Sequence, residues 1–145
     1  MAAIIDWYSK AILSWKISAS MDESLVMDVL NNALEDYGKP EIFNTDQGSQ
    51  YTGRSHTERL CEMGIQISMD GKGRATDNVV IERFWRSAKY EDIYLQRYET
   101  LSELKDGIRE YIDFYNEKRF HQTLNYMTPM HVYRESTKME NAKAA

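Results

Sequence analysis

The sequence is poor in the residues that would tie it to an oxidising compartment or a bilayer. It has a single cysteine, Cys61, so no disulfide can close within the chain, which fits a reducing cytoplasm. Cys61 itself is expected to pack as a small buried apolar residue. No apolar run approaches the roughly 18 residues that a membrane-spanning helix needs. The opening MAAIIDWYSK has no basic segment ahead of a long apolar one, so neither membrane insertion nor secretion is expected. Positive charge is also in deficit, with 18 Lys and Arg against 23 Asp and Glu and a formal net charge of −5. General polyanion binding draws on surplus Lys and Arg that neutralise phosphates. Any contact with nucleic acid therefore has to be local.

What is present is enough for one packed domain: 145 residues, 42% hydrophobic and 12% aromatic, without repeats or low-complexity tracts. AAIID and AILSWKIS, separated by WYSK, read as a hairpin over residues 1–18. From Met21 to Tyr37, Leu25, Val26, Val29, Leu30, Ala33 and Leu34 recur at helical spacing, and Gly38 and Pro40 follow where the helix should stop. EIFN is a short strand ending at Asp46. Ser55 and Glu58 have the spacing of a capping box for a helix that Gly64 closes, and IQISM alternates as a further strand. DGKGRATD is a polar, glycine-containing loop, followed by a long helix from about Asn78 to Arg97. Thr100 and Glu103 form a second capping-box pair ahead of an amphipathic helix carrying Leu101, Leu104, Ile108, Tyr111, Ile112 and Tyr115. The basic, aromatic remainder reads as irregular. This gives an α/β core over residues 1–118 with a C-terminal extension over 119–145.

The layout singles out two acids. Asp46 ends a strand, and Glu82 sits in the first turns of a helix, with 35 residues between them. Carboxylates at a strand end and a helix start can converge on a hard cation such as Mg²⁺, which keeps waters and phosphate oxygens among its ligands. The alternative is a turn-forming Asp46 and a solvated Glu82. Arg86 at i+4 and Lys89 at i+7 share the Glu82 stripe, so one acid for a metal and two bases for phosphates would lie on one helix face. Equally, Glu82 and Arg86 have the spacing of a helical salt bridge, which contributes only a few tenths of a kcal/mol. His121 and His131 have no partner at zinc spacing, and His56, inside the capping box, reads as a surface residue.

NTDQGSQYT, followed at that interval by DNVVIERFWRSAKYE and then by YNEKRFHQTLNYMTPMHVY, resembles the DDE transposases of bacterial insertion sequences, members of the retroviral integrase superfamily. The likeness runs from AAIIDWYSK to about Tyr133. It implies a ribonuclease H-like mixed sheet with flanking helices, and a Mg²⁺- or Mn²⁺-dependent strand cleavage and transfer activity using two ions in a complete site. By position, Asp46 would be the second acid of the triad and Glu82 the third, both metal ligands, with Lys89 on transposon-end DNA. Arg86 would join Lys89 on phosphates, and Lys72 and Arg74, in the loop around Gly71 and Gly73, would contact the DNA backbone. The implied partners are transposon-end and target DNA, further copies of the chain, or full-length transposase.

Two departures from that family qualify the expectation. The first acid stands on a strand that precedes the one reading here as AAIID, so the sheet is expected to lack its first central strand and the chain to be inactive by itself. Asp6 is the nearest substitute, but it matches a different family position, beside the turn, and only 39 residues separate it from Asp46. Phe120 stands where the family tail usually has proline. Two outcomes stay open: a DDE core that works when the missing strand is supplied, or a non-catalytic transposase remnant that associates with full-length subunits or DNA.

Overall fold

In a computed structural model, residues 1–45, 48–69 and 79–144 are described. Two strands open the chain, β1 (Ala2–Ile5) and β2 (Ile12–Lys16), and pair as a two-stranded sheet. Helix α1 (Glu23–Tyr37) follows. The Asp22 side chain accepts the Leu25 N–H at 3.0 Å to start it, and Gly38, at φ 78°, donates its N–H to the Leu34 carbonyl to end it. Next come β3 (Ile42–Thr45), a single helical turn α2 (Ser49–Thr52), α3 (Arg54–Glu62) and β4 (Gln66–Met69). β3 and β4 pair in parallel, with Ile42 opposite Gln66 and Thr45 opposite Met69. That β–α–β unit is the crossover a parallel pair requires.

Two packed units emerge: residues 1–4 with 13–82, and residues 5–12 with 83–145. The first is centred on Leu30, Leu34, Leu60 and Ile65, with Ile4, Phe43, Met63 and Ile67 against them, and on Ala2, Leu25 and Val29. The apolar stripe of α1 is thus the element that the sheet residues bury against, as its spacing predicts. In the second unit, Phe84 is almost fully buried and meets the Tyr115 ring edge-on at 5.0 Å, and Ala88, Ile108 and Ile112 of the same unit are buried too.

Several expectations need correction. Ser55 does not cap α3: Gly53 is the cap residue and makes no side-chain cap bond, and the Ser55 N–H is instead accepted by Glu23 Oε1 from α1 at 3.2 Å. Glu58 pairs with Arg54 at 2.6 Å. Cys61 is exposed, because it falls on the solvent side of α3 while Leu60 takes the core position. The long helix divides into α4 (Val79–Ala88), a π-helical turn (Lys89–Ile93) and α5 (Tyr94–Gln96), which ends at Arg97 in the left-handed region. The widened turn coincides with two carboxylates that find distant partners, Glu91 and Asp92. Helix α6 (Leu101–Glu117) begins with the Thr100–Glu103 capping box as expected. The tail is not irregular: a 3₁₀ turn (Gln122–Leu124) and a His121–Met127 bridge lead into α7 (Pro129–Ala144).

Candidate functional site

β3 delivers the chain to Thr45, the residue ahead of Asp46. Asp46 itself lies outside the described residues, as do Lys72 and Arg74. The flanks of Asp46 are well defined. Thr45 is buried, and its hydroxyl has no hydrogen-bond partner among the described residues. Past the acid, α2 starts at Gly48, whose carbonyl accepts the Tyr51 and Thr52 N–H groups. His56 lies against both flanks. Its ring sits edge-on to Phe43 of β3 at 5.8 Å and to Tyr51 of α2 at 5.7 Å, and it is 1% exposed rather than a surface residue. Burial lowers its pKa, a hydrogen bond to the Tyr51 backbone and the Glu23 carboxylate oppose that, and Nε2 has no partner among the described residues.

Glu82 is exposed in the first turn of α4, where the helix dipole favours a carboxylate. Arg86, one turn further, and Lys89, the first residue of the π-helical turn, are also exposed. Among the described residues no ion pair joins Glu82 to Arg86, and no carboxylate lies in ion-pair range of Arg83, Arg86 or Lys89. The alternative reading of a Glu82–Arg86 salt bridge is not met, so among the described residues the stripe presents one carboxylate and its cations unneutralised. Glu82, with no cation held against it, has the chemistry of a hard-metal ligand. No cluster of three or more His, Cys, Asp or Glu side chains able to hold a metal occurs among the described residues.

Asp6 has a different occupation. Its Oδ2 accepts the Ser9 N–H at 2.7 Å and the Ser9 hydroxyl at 2.6 Å, closing the turn between β1 and β2. The tail residues also turn inward. Arg119 pairs with Glu91 at 2.7 Å, donates to the Tyr111 hydroxyl at 3.2 Å and stacks over the Tyr115 ring at 5.8 Å. Tyr111 in turn donates to Glu91 at 2.9 Å. His121 lies edge-on to Tyr115 at 4.8 Å, and burial, then Arg119 and Lys10, depress its pKa to about 4. Arg119 and His121 therefore brace the fold. Asn116 pairs with both backbone groups of Ile12: its Oδ1 accepts the Ile12 N–H at 2.9 Å and its Nδ2 donates to the Ile12 carbonyl at 2.8 Å. Sequence reasoning passed over Asn116, Glu91 and Arg83. An i,i+3 count from Arg86 back to Arg83 would have flagged the last.

Comparison with known proteins agrees with this geometry. The integrase core domain model matches residues 1–75, and a second model of the same description matches residues 63–129. The chain is 35% identical over 141 residues to the putative transposase InsK for insertion sequence element IS150 of Escherichia coli, covering 96% of this chain and 50% of that protein. It is 38% identical over 132 residues to the transposase for insertion sequence element IS904 of Lactococcus lactis, covering 89% and 52%. The chain thus spans about half the length of these relatives. In structure it resembles the catalytic core domain of BIV integrase, with a TM-score of 0.76 at 17% identity over 96% of this chain and 88% of that one. It also resembles the HTLV-2 integrase catalytic core in complex with magnesium, with a TM-score of 0.69 at 19% identity over 88% and 80%. The fold is the ribonuclease H-like one, a mixed α/β arrangement with helices flanking the strands.

Proposed function

The chain belongs to the integrase core domain family, and from that premise we propose that it carries catalytic-core residues of a DDE transposase, which cuts and joins DNA strands. Asp46 and Glu82 are two of its metal-binding carboxylates, and Lys72, Arg74, Arg86 and Lys89 hold the DNA backbone. The observation that carries this reading is the α4 stripe, where an acid at the helix start and cations one and two turns on stand free of one another. A helix that used these residues for stability alone would pair them.

In this reading Glu82 and Asp46 would hold divalent cations, Mg²⁺ or Mn²⁺ and two in a complete site. The magnesium in the HTLV-2 integrase core supports a divalent ion in this fold. Bound there, the ions supply charge neutralisation for the attacking and leaving oxygens. The chain's own groups orient the substrate: Arg86 and Lys89 fix the phosphate backbone along α4, and the Gly48 turn keeps bulk away beside Asp46. The trimeric and dimeric forms of the HTLV-2 core support self-association as part of the same reading.

Titration of the chain with Mn²⁺, followed by electron paramagnetic resonance or calorimetry, tests the acids. Glu82→Gln and Asp46→Asn should each weaken Mn²⁺ binding at least tenfold, whereas Glu58→Gln, which removes an Arg54 partner on α3, should leave it unchanged. Equal Mn²⁺ affinity in all four proteins would refute the assignment.

A further inference from the structure

We propose that Lys10, with Arg83 beside it, forms a phosphodiester-binding site at the turn between β1 and β2, extending the DNA surface of α4. The proposal rests on reading α4 as a DNA-facing helix and adds a contact from another part of the chain. The turn holds Lys10 in place: its N–H donates to the Asp6 carbonyl at 2.8 Å, the Asp6 N–H donates to Ala11 at 2.9 Å, and Lys10 takes a left-handed φ of 63°. A residue with a side chain is strained at such a φ, so the position is set by the structure around it. The one acid of the turn, Asp6, is directed to Ser9.

Lys10 is partly exposed, and its ammonium donates to the Thr123 hydroxyl, a neutral partner. An ammonium has three donors, so two remain. The charge that acts on it is that of Arg83 of α4, and it acts in turn on His121 of the tail, whose depressed pKa leaves the ring neutral. The carboxylate in this neighbourhood, Glu91, is occupied by Arg119 and Tyr111. Burial and the Arg83 charge both lower the Lys10 pKa, and Lys10 and Arg119 help to lower that of His121. Burial is the larger cause of both shifts, and the neighbouring cations add to it. Other cations are neutralised, as in Lys16–Asp28, Arg54–Glu58, Arg109–Asp106 and Arg134–Glu117, and those without an ion pair among the described residues, such as Lys39, Lys105 and Lys143, are not held in a turn with a second cation. In a chain of net charge −5, an unneutralised pair with spare donors is built for an anion. Trp7 and Tyr8, in the same turn, are 53% and 71% exposed. Aromatic faces beside a phosphate site suit a nucleic-acid strand, whose sugars and bases they can meet, over a free phosphate.

Fluorescence anisotropy with a labelled DNA duplex, across a salt series, tests the site on the 145-residue chain. Lys10→Gln and Arg83→Gln should each weaken binding several-fold at low salt and make the slope of log K against log salt shallower by about 0.9. Thr123→Val, which frees the Lys10 ammonium without removing it, should give a smaller loss. Lys16→Gln, which removes a cation already paired with Asp28, is the matched control, and circular dichroism verifies folding of each variant. If Lys10→Gln and Arg83→Gln bind like the control while Arg86→Gln and Lys89→Gln lose affinity, the turn site is wrong and the α4 reading stands. If none loses affinity, both fall. Displacement of DNA by millimolar inorganic phosphate beyond the effect of matched ionic strength would overturn the assignment to a DNA strand.

Discussion

His56 occupies a place where only a neutral ring is comfortable, wedged between Phe43 and Tyr51 with one nitrogen lacking a partner among the described residues. Its lowered pKa means that the unfolded chain takes up a proton more readily than the folded one. The stability tied to a neutral His56 is therefore fully present above the unfolded value of about 6.5 and is lost as pH falls from there through the folded value. His56→Phe keeps the ring contacts and removes the titration, so its melting temperature should exceed that of the parent by a margin that widens between pH 7 and pH 5. A margin independent of pH would refute this account. Gly107 gives a second test at this scale. A methyl group there would overlap the Tyr98 side chain, whose hydroxyl donates to Asp92 at 2.8 Å. Replacing a helical glycine by alanine ordinarily gains about 1 kcal/mol, but Gly107→Ala should instead lose about 1–3 kcal/mol to overpacking. In a Tyr98→Ala background the sign should reverse, as urea denaturation would show. The two residues differ in how legible they were. His56 lies one turn before Leu60, so a helical count puts it on the buried face, but its polar neighbours Ser55, Thr57 and Glu58 mask that face. No local pattern announces that Tyr98 needs the space at Gly107.

Periodicity fixes the elements where a single face decides burial. Helix α1, the capping box of α6 and the strands β3 and β4 all fall where spacing put them, within a residue or two at their ends. It fails where a partner remote in sequence decides. The π-helical turn accommodates Glu91 and Asp92, whose partners Tyr111, Arg119 and Tyr98 lie on later segments. α3 begins on a carboxylate from α1, a cap that no Ser-x-x-Glu count can see. Asn116 is the clearest case. Although 104 residues from Ile12 in sequence, its amide acts as a neighbouring strand would, pairing with one N–H and one carbonyl of β2. Asn116→Ala would leave both backbone groups buried without partners, a cost on the order of 2 kcal/mol or more. Hydrogen exchange gives the specific readout: the Ile12 amide should lose protection while Phe43 to Thr45, in the other sheet, keep theirs. Uniform loss across both sheets would mean that Asn116 is only a packing residue.

At the scale of the whole molecule, the acidic charge and the DNA-directed reading are compatible because the cations are sorted. Several basic side chains are held in ion pairs, whereas among the described residues Lys10 in the first turn and Arg83, Arg86 and Lys89 along α4 and its extension are not. Binding that depends on so few phosphate contacts should be weak, tolerant of sequence and steep in salt. The strands carry the other consequence. Among the described residues β1 pairs with β2 and β3 with β4, and no ladder joins the two sheets, although Ile4 of β1 and Phe43 of β3 pack on the same core. Each of β1 and β3 therefore keeps an edge of backbone donors and acceptors. In the ribonuclease H-like sheet implied by the resemblance, one acid-bearing strand lies between those two edges, an expectation that comes from the family likeness and from neither periodicity nor composition. We expect a chain that includes such a strand ahead of β1 to differ from the 145 residues in two measurable ways. It should melt higher, because one strand satisfies both edges. It should also support metal-dependent cleavage and joining of DNA, lost again on Asp46→Ala or Glu82→Ala, at a level above that of the 145-residue chain. Asp6 supplies the control, since its carboxylate already closes the Ser9 turn. Asp6→Asn should leave the activity of the longer chain intact, and equal activity in the two chains, abolished by Asp6→Asn, would make Asp6 the first acid and overturn the strand argument.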